Sequence, residues 1–131
     1  MRACCVARTS ERLISSTLAA TSFAPLKNLA ALSGAMKEFF DRLYYPLLGR
    51  IEGRAYASII AAGSDGQGAQ RQLDRICTGW RLRRVAEPLI INLAAATPDA
   101  IQAAKQVPVG AARGAVELGA ALGTGLAGGI F

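Results

Sequence analysis

Ala55-Tyr-Ala-Ser-Ile-Ile-Ala-Ala-Gly-Ser-Asp-Gly-Gln-Gly-Ala69 is an apolar run that stops in a turn of three glycines and leads straight into a helical pattern. The run is short, rich in isoleucine and alanine and free of alternation, so it reads as a strand buried on both faces. Gly63, Gly66 and Gly68 allow a sharp turn and close approach of the backbone to a neighbour. Ser64, Asp65 and Gln67 bring hydrogen-bonding groups to the same place. In open α/β sheets ligands bind beyond the carboxyl ends of the strands, where such a turn lies. A plain strand-to-helix connection without a ligand is the competing reading of the turn. The glycine order is not that of a dinucleotide fingerprint, and no Gly-Lys-Ser/Thr ending makes it a nucleotide phosphate loop.

Working outward, Leu18 to Phe23 is predicted as a short strand and Ser33 to Tyr44 as an amphipathic helix. Leu32, Met36, Phe39, Phe40 and Leu43 share one face of that helix, and Lys37, Glu38, Asp41 and Arg42 the other. Ser33 suits the N-cap, and Pro46 and Gly49 are expected to end the element. A second helix is predicted over Ala69 to Thr78, with Leu73, Ile76 and Cys77 inward and Gly79 as C-cap. Val85 to Asn92 reads as a further strand, in which Pro88 implies an edge position or an irregular ladder. Thr97 and Pro98 open a short helix, Pro108 interrupts it, and Val109 begins the last one. Strand and helix alternate, so parallel crossover units are expected.

The 131 residues suffice for one domain with a real core. Lys and Arg number 15 against 9 Asp and Glu, a net charge of +6. Such a balance favours anionic partners, yet the bases are scattered apart from Arg81, Arg83 and Arg84. Only Trp80 lies beside them as a stacking surface, so nucleic-acid binding is not expected. With no histidine, histidine triads and histidine general-base catalysis are excluded within the chain. Cys4, Cys5 and Cys77 make a poor disulfide framework and a poor zinc set, which suits a reducing, cytoplasmic setting and no metal. Redox chemistry would have to be carried by a cofactor. Tyr44, Tyr45 and Trp80 read as cover for the core or a subunit interface, and Cys77 as a small buried hydrophobe.

The first 23 residues, with Arg2, Arg8 and Arg12 among many hydroxyl side chains, have the composition of an organelle transit peptide. An ordinary strand and helix start, or a displaced start, explains them equally. Gly119, Gly123, Gly125 and Gly129 fit the spacing of membrane helix pairs. The uncharged stretch from Leu118 to Phe131 is shorter than the roughly 20 residues needed to span a bilayer, so a helix packed on a sheet is expected and no membrane.

Two segments together resemble the flavodoxin-like superfamily, in its NAD(P)H-dependent flavin and quinone reductase branch. One is Asn28-Leu-Ala-Ala-Leu-Ser-Gly-Ala-Met-Lys-Glu-Phe-Phe-Asp-Arg42, similar to the family's loop after the third strand and the helix that follows. The other is the Ala57–Gly68 strand and turn, similar to the fourth strand and its flavin-side loop. The likeness runs from Asn28 to Asn92, and more loosely to the last helix. It implies an α/β three-layer sandwich with a parallel sheet, flavodoxin-like and incomplete at its N-terminus, as a single domain in which 1–27 is divergent and 28–131 recognisable. No Ser/Thr-rich phosphate loop is recognised before Asn28.

The resemblance implies FMN as cofactor, with Asn28 in one ring-side loop and Gly63, Ser64, Asp65, Gly66 and Gln67 in the other. It implies an oxidoreductase or electron-transfer protein in which hydride passes from NAD(P)H to the flavin and on to a quinone, free flavin or small electrophile. It also implies a homodimer, which an exposed sheet edge would encourage. The alternative is a truncated, non-catalytic protein of the same fold that acts through protein interaction.

Overall fold

The computed structural model describes residues 19–131. Cys4, Cys5 and most of the stretch with transit-peptide composition lie outside the described residues, as does Leu18 of the first expected strand. The element order is β1 (Ala20–Phe23), β2 (Lys27–Asn28), β3 (Ala31–Leu32), α1 (Gly34–Leu47), β4 (Ala55–Ala62), α2 (Gln67–Gly79), β5 (Arg83–Arg84), β6 (Leu89–Asn92), α3 (Pro98–Gln102) and α4 (Val109–Ala127).

β4 is the central strand, as its unbroken apolar run requires. β1 pairs with it in parallel from Ala20–Ala55 to Phe23–Ser58. The pairing continues past Pro25 as a bridge between Leu26 and Ala61. On the other side, β5 pairs in parallel with Ala55 and Tyr56, and β6 with Ile59 to Ala62. The chain is therefore an α/β protein with a mostly parallel sheet. A small antiparallel hairpin, β2–β3, stands apart from it.

The two faces of β4 have different cover, because successive side chains point to opposite sides. Tyr56, Ile60 and Ala62 join Phe40, Leu43 and Leu47 of α1 and Leu73 and Cys77 of α2 in the main core. Phe40 sits between Phe23 and Trp80, with ring centroids 5.3 Å from each in tilted or edge contacts. Ala57, on the opposite face, helps line a small apolar cavity with Leu118, Leu122 and Phe131 from the α4 end of the chain.

Several boundaries differ from expectation for local reasons. Of the strand expected over Val85 to Asn92 only the second half, Leu89–Asn92, is strand; β5 lies just before it at Arg83–Arg84, and Val85 to Pro88 join the two. Pro88 has no N–H for the ladder, so the pairing to β4 lapses and resumes with its register shifted by two residues. Pro46 does not stop α1, which runs to Leu47. It lies in the last turn, where little helix is left to disturb. Leu48 closes the end and Gly49 takes the left-handed conformation.

Ser33 occupies the N-cap position, but its hydroxyl makes no capping bond. Gly79 is not the C-cap of α2: it is still helical, and Trp80 is the cap. Arg81 is the residue with positive φ, at 55°. Its N–H donates to the Thr78 carbonyl and that of Leu82 to the Cys77 carbonyl, each at 2.9 Å, so an arginine holds the place usually given to glycine. Thr97 does cap α3, accepting from Ala100 N at 3.3 Å.

Candidate functional site

Three loops converge on the carboxyl end of the sheet, and the first is the β2–β3 hairpin. β1 delivers the chain along β4 as far as Leu26, and Ala61 N donates to the Pro25 carbonyl at 3.2 Å. The chain then turns through Leu29 and Ala30, both with positive φ (46° and 64°), and returns with Ala31 opposite Asn28. Two consecutive left-handed residues fit the twist of a tight hairpin, though neither has the side chain such turns favour. Leu29 is 92% exposed.

The second loop is the glycine turn after β4, and the structure gives each glycine a separate task. A Cβ at Gly66 would lie 2.6 Å from Cγ2 of Ile90 and 3.3 Å from that of Ile60, so the turn passes directly over the ends of β4 and β6. A Cβ at Gly68 would lie 2.3 Å from the Ala30 carbonyl oxygen, so the first turn of α2 bears on the hairpin tip. Gln72 holds the same hairpin by accepting from Leu32 N at 2.8 Å. Gly63 faces the third loop, its carbonyl accepting from Ala95 N at 2.6 Å.

The residues singled out in the sequence are thus brought to one end of the sheet, with different parts to play. Asn28 is exposed, and the hairpin's contact with α2 is made by backbone rather than by its amide. Ser64 and Asp65 are exposed at the turn, and Gln67 opens α2 on its solvent side. Asp65 accepts from Gln67 N at 3.0 Å, the local turn bond expected of an aspartate here. The N–H groups of Ser64 and Asp65 donate to no protein group among the described residues.

The third loop escaped the sequence reading. Asn92 ends β6, and its side chain accepts from Ala94 N at 2.8 Å while Ala94 takes φ 52°. An Asn closing an apolar strand is the available signal, since its side chain readily replaces a backbone turn bond.

The groups whose proton affinity departs from the ordinary are elsewhere. Burial, and then the hydrogen bond to Asp74, raise the Tyr56 phenol well above its usual value. Burial, and then the Asp74 carboxylate, push the Cys77 thiol up to about 12. Both belong to a packed network under β4. Ser58 Oγ donates to Gln70 Oε1 at 3.0 Å, and Gln70 Nε2 and Tyr56 OH both donate to Asp74 Oδ1 at 2.9 Å. Arg84 pairs with Asp74 Oδ2 at 3.3 Å. This network fixes the register of α2 on the sheet. The carboxyl-end loops offer backbone amides, the Ser64 hydroxyl, the Asp65 carboxylate and the carboxamides of Asn28, Gln67 and Asn92, groups able to hydrogen-bond the polar edge of a planar ligand. No helix among the described residues is long and apolar enough to cross a membrane. No protein-family model matches the chain, and no curated protein matches it.

Proposed function

We propose that the chain is a flavodoxin-like three-layer sandwich whose carboxyl-end loops bind FMN, as an NAD(P)H-dependent oxidoreductase or electron-transfer protein of the cytoplasm. The observation that carries this reading is the meeting of the Asn28 hairpin with the first turn of α2, directly after the Gly63–Gln67 turn, beyond two adjacent parallel strands. Ligands of open α/β sheets lie in that position. The layer assignment is supported by α1 and α2 against the Tyr56 and Ile60 face of β4, and by the approach of α4 to the Ala57 face.

The residues fit a flavin ring edge. Free N–H groups at Ser64 and Asp65 and the exposed Asn28 carboxamide are donors for ring carbonyls and nitrogens. When bound, the flavin supplies hydride and electron transfer to a quinone, another flavin or a small electrophile. The chain's residues hold the ring edge and bias its charge by hydrogen bonding. The Gly68–Ala30 contact closes the gap between hairpin and helix, so the ligand has to lie above Ser64 and Asp65.

A second reading is a protein of the same fold that acts by interaction without a cofactor. It is favoured by Gly66 and Gly68, whose need for glycine is fully met by packing on Ile90 and Ala30. An FMN titration followed by flavin fluorescence separates the two. The flavin reading predicts saturable quenching that weakens several-fold in Ser64→Pro, which removes one donor. A folded chain that leaves FMN fluorescence unchanged at high micromolar flavin supports the second reading and ends the first.

A further inference from the structure

Helix α4 is poorly covered for so apolar an element. Its 19 residues carry only two charges, Arg113 and Glu117. A helix that is apolar nearly all round belongs in an interior, yet only Gly125 of α4 is buried. At 100° per residue, Gly114, Leu118, Leu122 and Gly125 form the side turned to the sheet. Val109, Val116, Ala120 and Ala127 run down the centre of the opposite side, where Val109 is 80% and Val116 71% exposed. Arg113 and Glu117 lie one turn apart on a single flank of that outer face. Neither is in an ion pair among the described residues.

The position of those two charges selects an occupant. When two copies of a helix pack antiparallel about a two-fold axis, each flank meets the same flank of the other copy. Arg113 of each copy then faces Glu117 of the other, giving two equivalent pairs about a centre near Ala115 and Val116. In that register the two Val116 side chains meet, and Val109 reaches the level of Ala120 in the other copy. Parallel pairing would set Arg113 and Glu117 against the opposite flank, which carries Ala112, Gly119 and Gly123 and no charge. The pattern is self-complementary in the way an isologous interface requires.

We infer that the outer face of α4 is a dimerisation surface, on which a second copy of this chain packs antiparallel through Val109, Val116 and Ala120 with reciprocal Arg113–Glu117 pairs. The interface lies on α4, away from the sheet edge, and is independent of any flavin. It excludes water from the exposed valines and gives the unpaired charges partners of opposite sign.

Charge exchange tests it, with sedimentation velocity as the readout and circular dichroism to verify folding. The wild-type chain is expected to be dimeric at micromolar concentration. Arg113→Glu and Glu117→Arg each place like charges opposite one another and are expected to weaken association roughly tenfold or more. The double variant restores opposite pairs and is expected to recover dimerisation, while Val116→Asp abolishes it. A monomeric wild type overturns the proposal. So do single charge variants that associate like wild type, or a double variant that stays dissociated. Binding of a monomeric chain to phosphatidylcholine–phosphatidylglycerol vesicles would assign the face to lipid and overturn it equally.

Discussion

Asp74 illustrates how one side chain joins three parts of the molecule. It receives Tyr56 from β4 and Gln70 from its own helix on one oxygen, and Arg84 of β5 on the other. Ser58 and Gln70 are both buried, and their mutual bond meets the requirement that buried polar groups be paired. Cys77, fully buried one turn beyond Asp74, makes this region sensitive to alkali. In the folded chain burial holds the thiol proton up to about 12, while the unfolded thiol releases it near 9.0. The folded state therefore binds more protons through that interval, and stability falls as pH rises. Tyr56 is shifted in the same direction and adds to the loss at still higher pH. Urea midpoints are expected to stay level with respect to this thiol below about pH 9 and to decline between 9 and 12. Cys77→Ala should show a shallower decline over that interval. An equally steep decline in the variant would show that the thiol is not its source.

The glycine turn and the hairpin behave as one unit, because the first turn of α2 rests on the hairpin's backbone. Gly68→Ala sets a methyl group 2.3 Å from the Ala30 oxygen, an atom of the backbone that cannot swing aside. The expected cost is roughly 1–3 kcal/mol in urea unfolding, typical of overpacking at a tight contact. If flavin binds, its affinity should fall too, since the hairpin must shift. A Gly68→Ala protein with unchanged stability would mean that the hairpin does not bear on the helix. β4 and its glycine turn were legible in the sequence because an uninterrupted apolar run followed by glycines leaves few alternatives. The expected bounds Ala55–Ala62 coincide with those of the strand. The hairpin was not legible: Leu29 and Ala30 are poor turn formers, and tertiary contact with Gly68 and Gln72 sets their conformation. The end of α2 misled for the converse reason. Gly79 signals a stop by chemistry, but Arg81 makes the turn because its neighbours' N–H groups find the last carbonyls there.

The parallel crossovers gather β1, β4 and β6 so that three loops of separate sequence origin share one rim. Alternation of strand and helix foretold that much. The expected strand ended correctly at Asn92, but the loop from Asn92 to Ala95 was not legible, because its turn is set by the Asn92 side chain and by the Ala95–Gly63 bond, neither of which an apolar pattern marks. Exposure along α4 was equally hidden, since a pattern apolar on every side does not reveal which side the sheet covers. The central claim is that these loops form one ligand site at the carboxyl end of the sheet. Its most direct test is a map of amide chemical-shift changes in the uniformly labelled chain as FMN is added. The account predicts changes at Asn28, Ser64, Asp65, Gly66 and Ala94, with Arg83 and Val116 unmoved. Shifts confined to the Arg81–Arg84 end of the sheet, or none in a folded chain at high micromolar FMN, would contradict it.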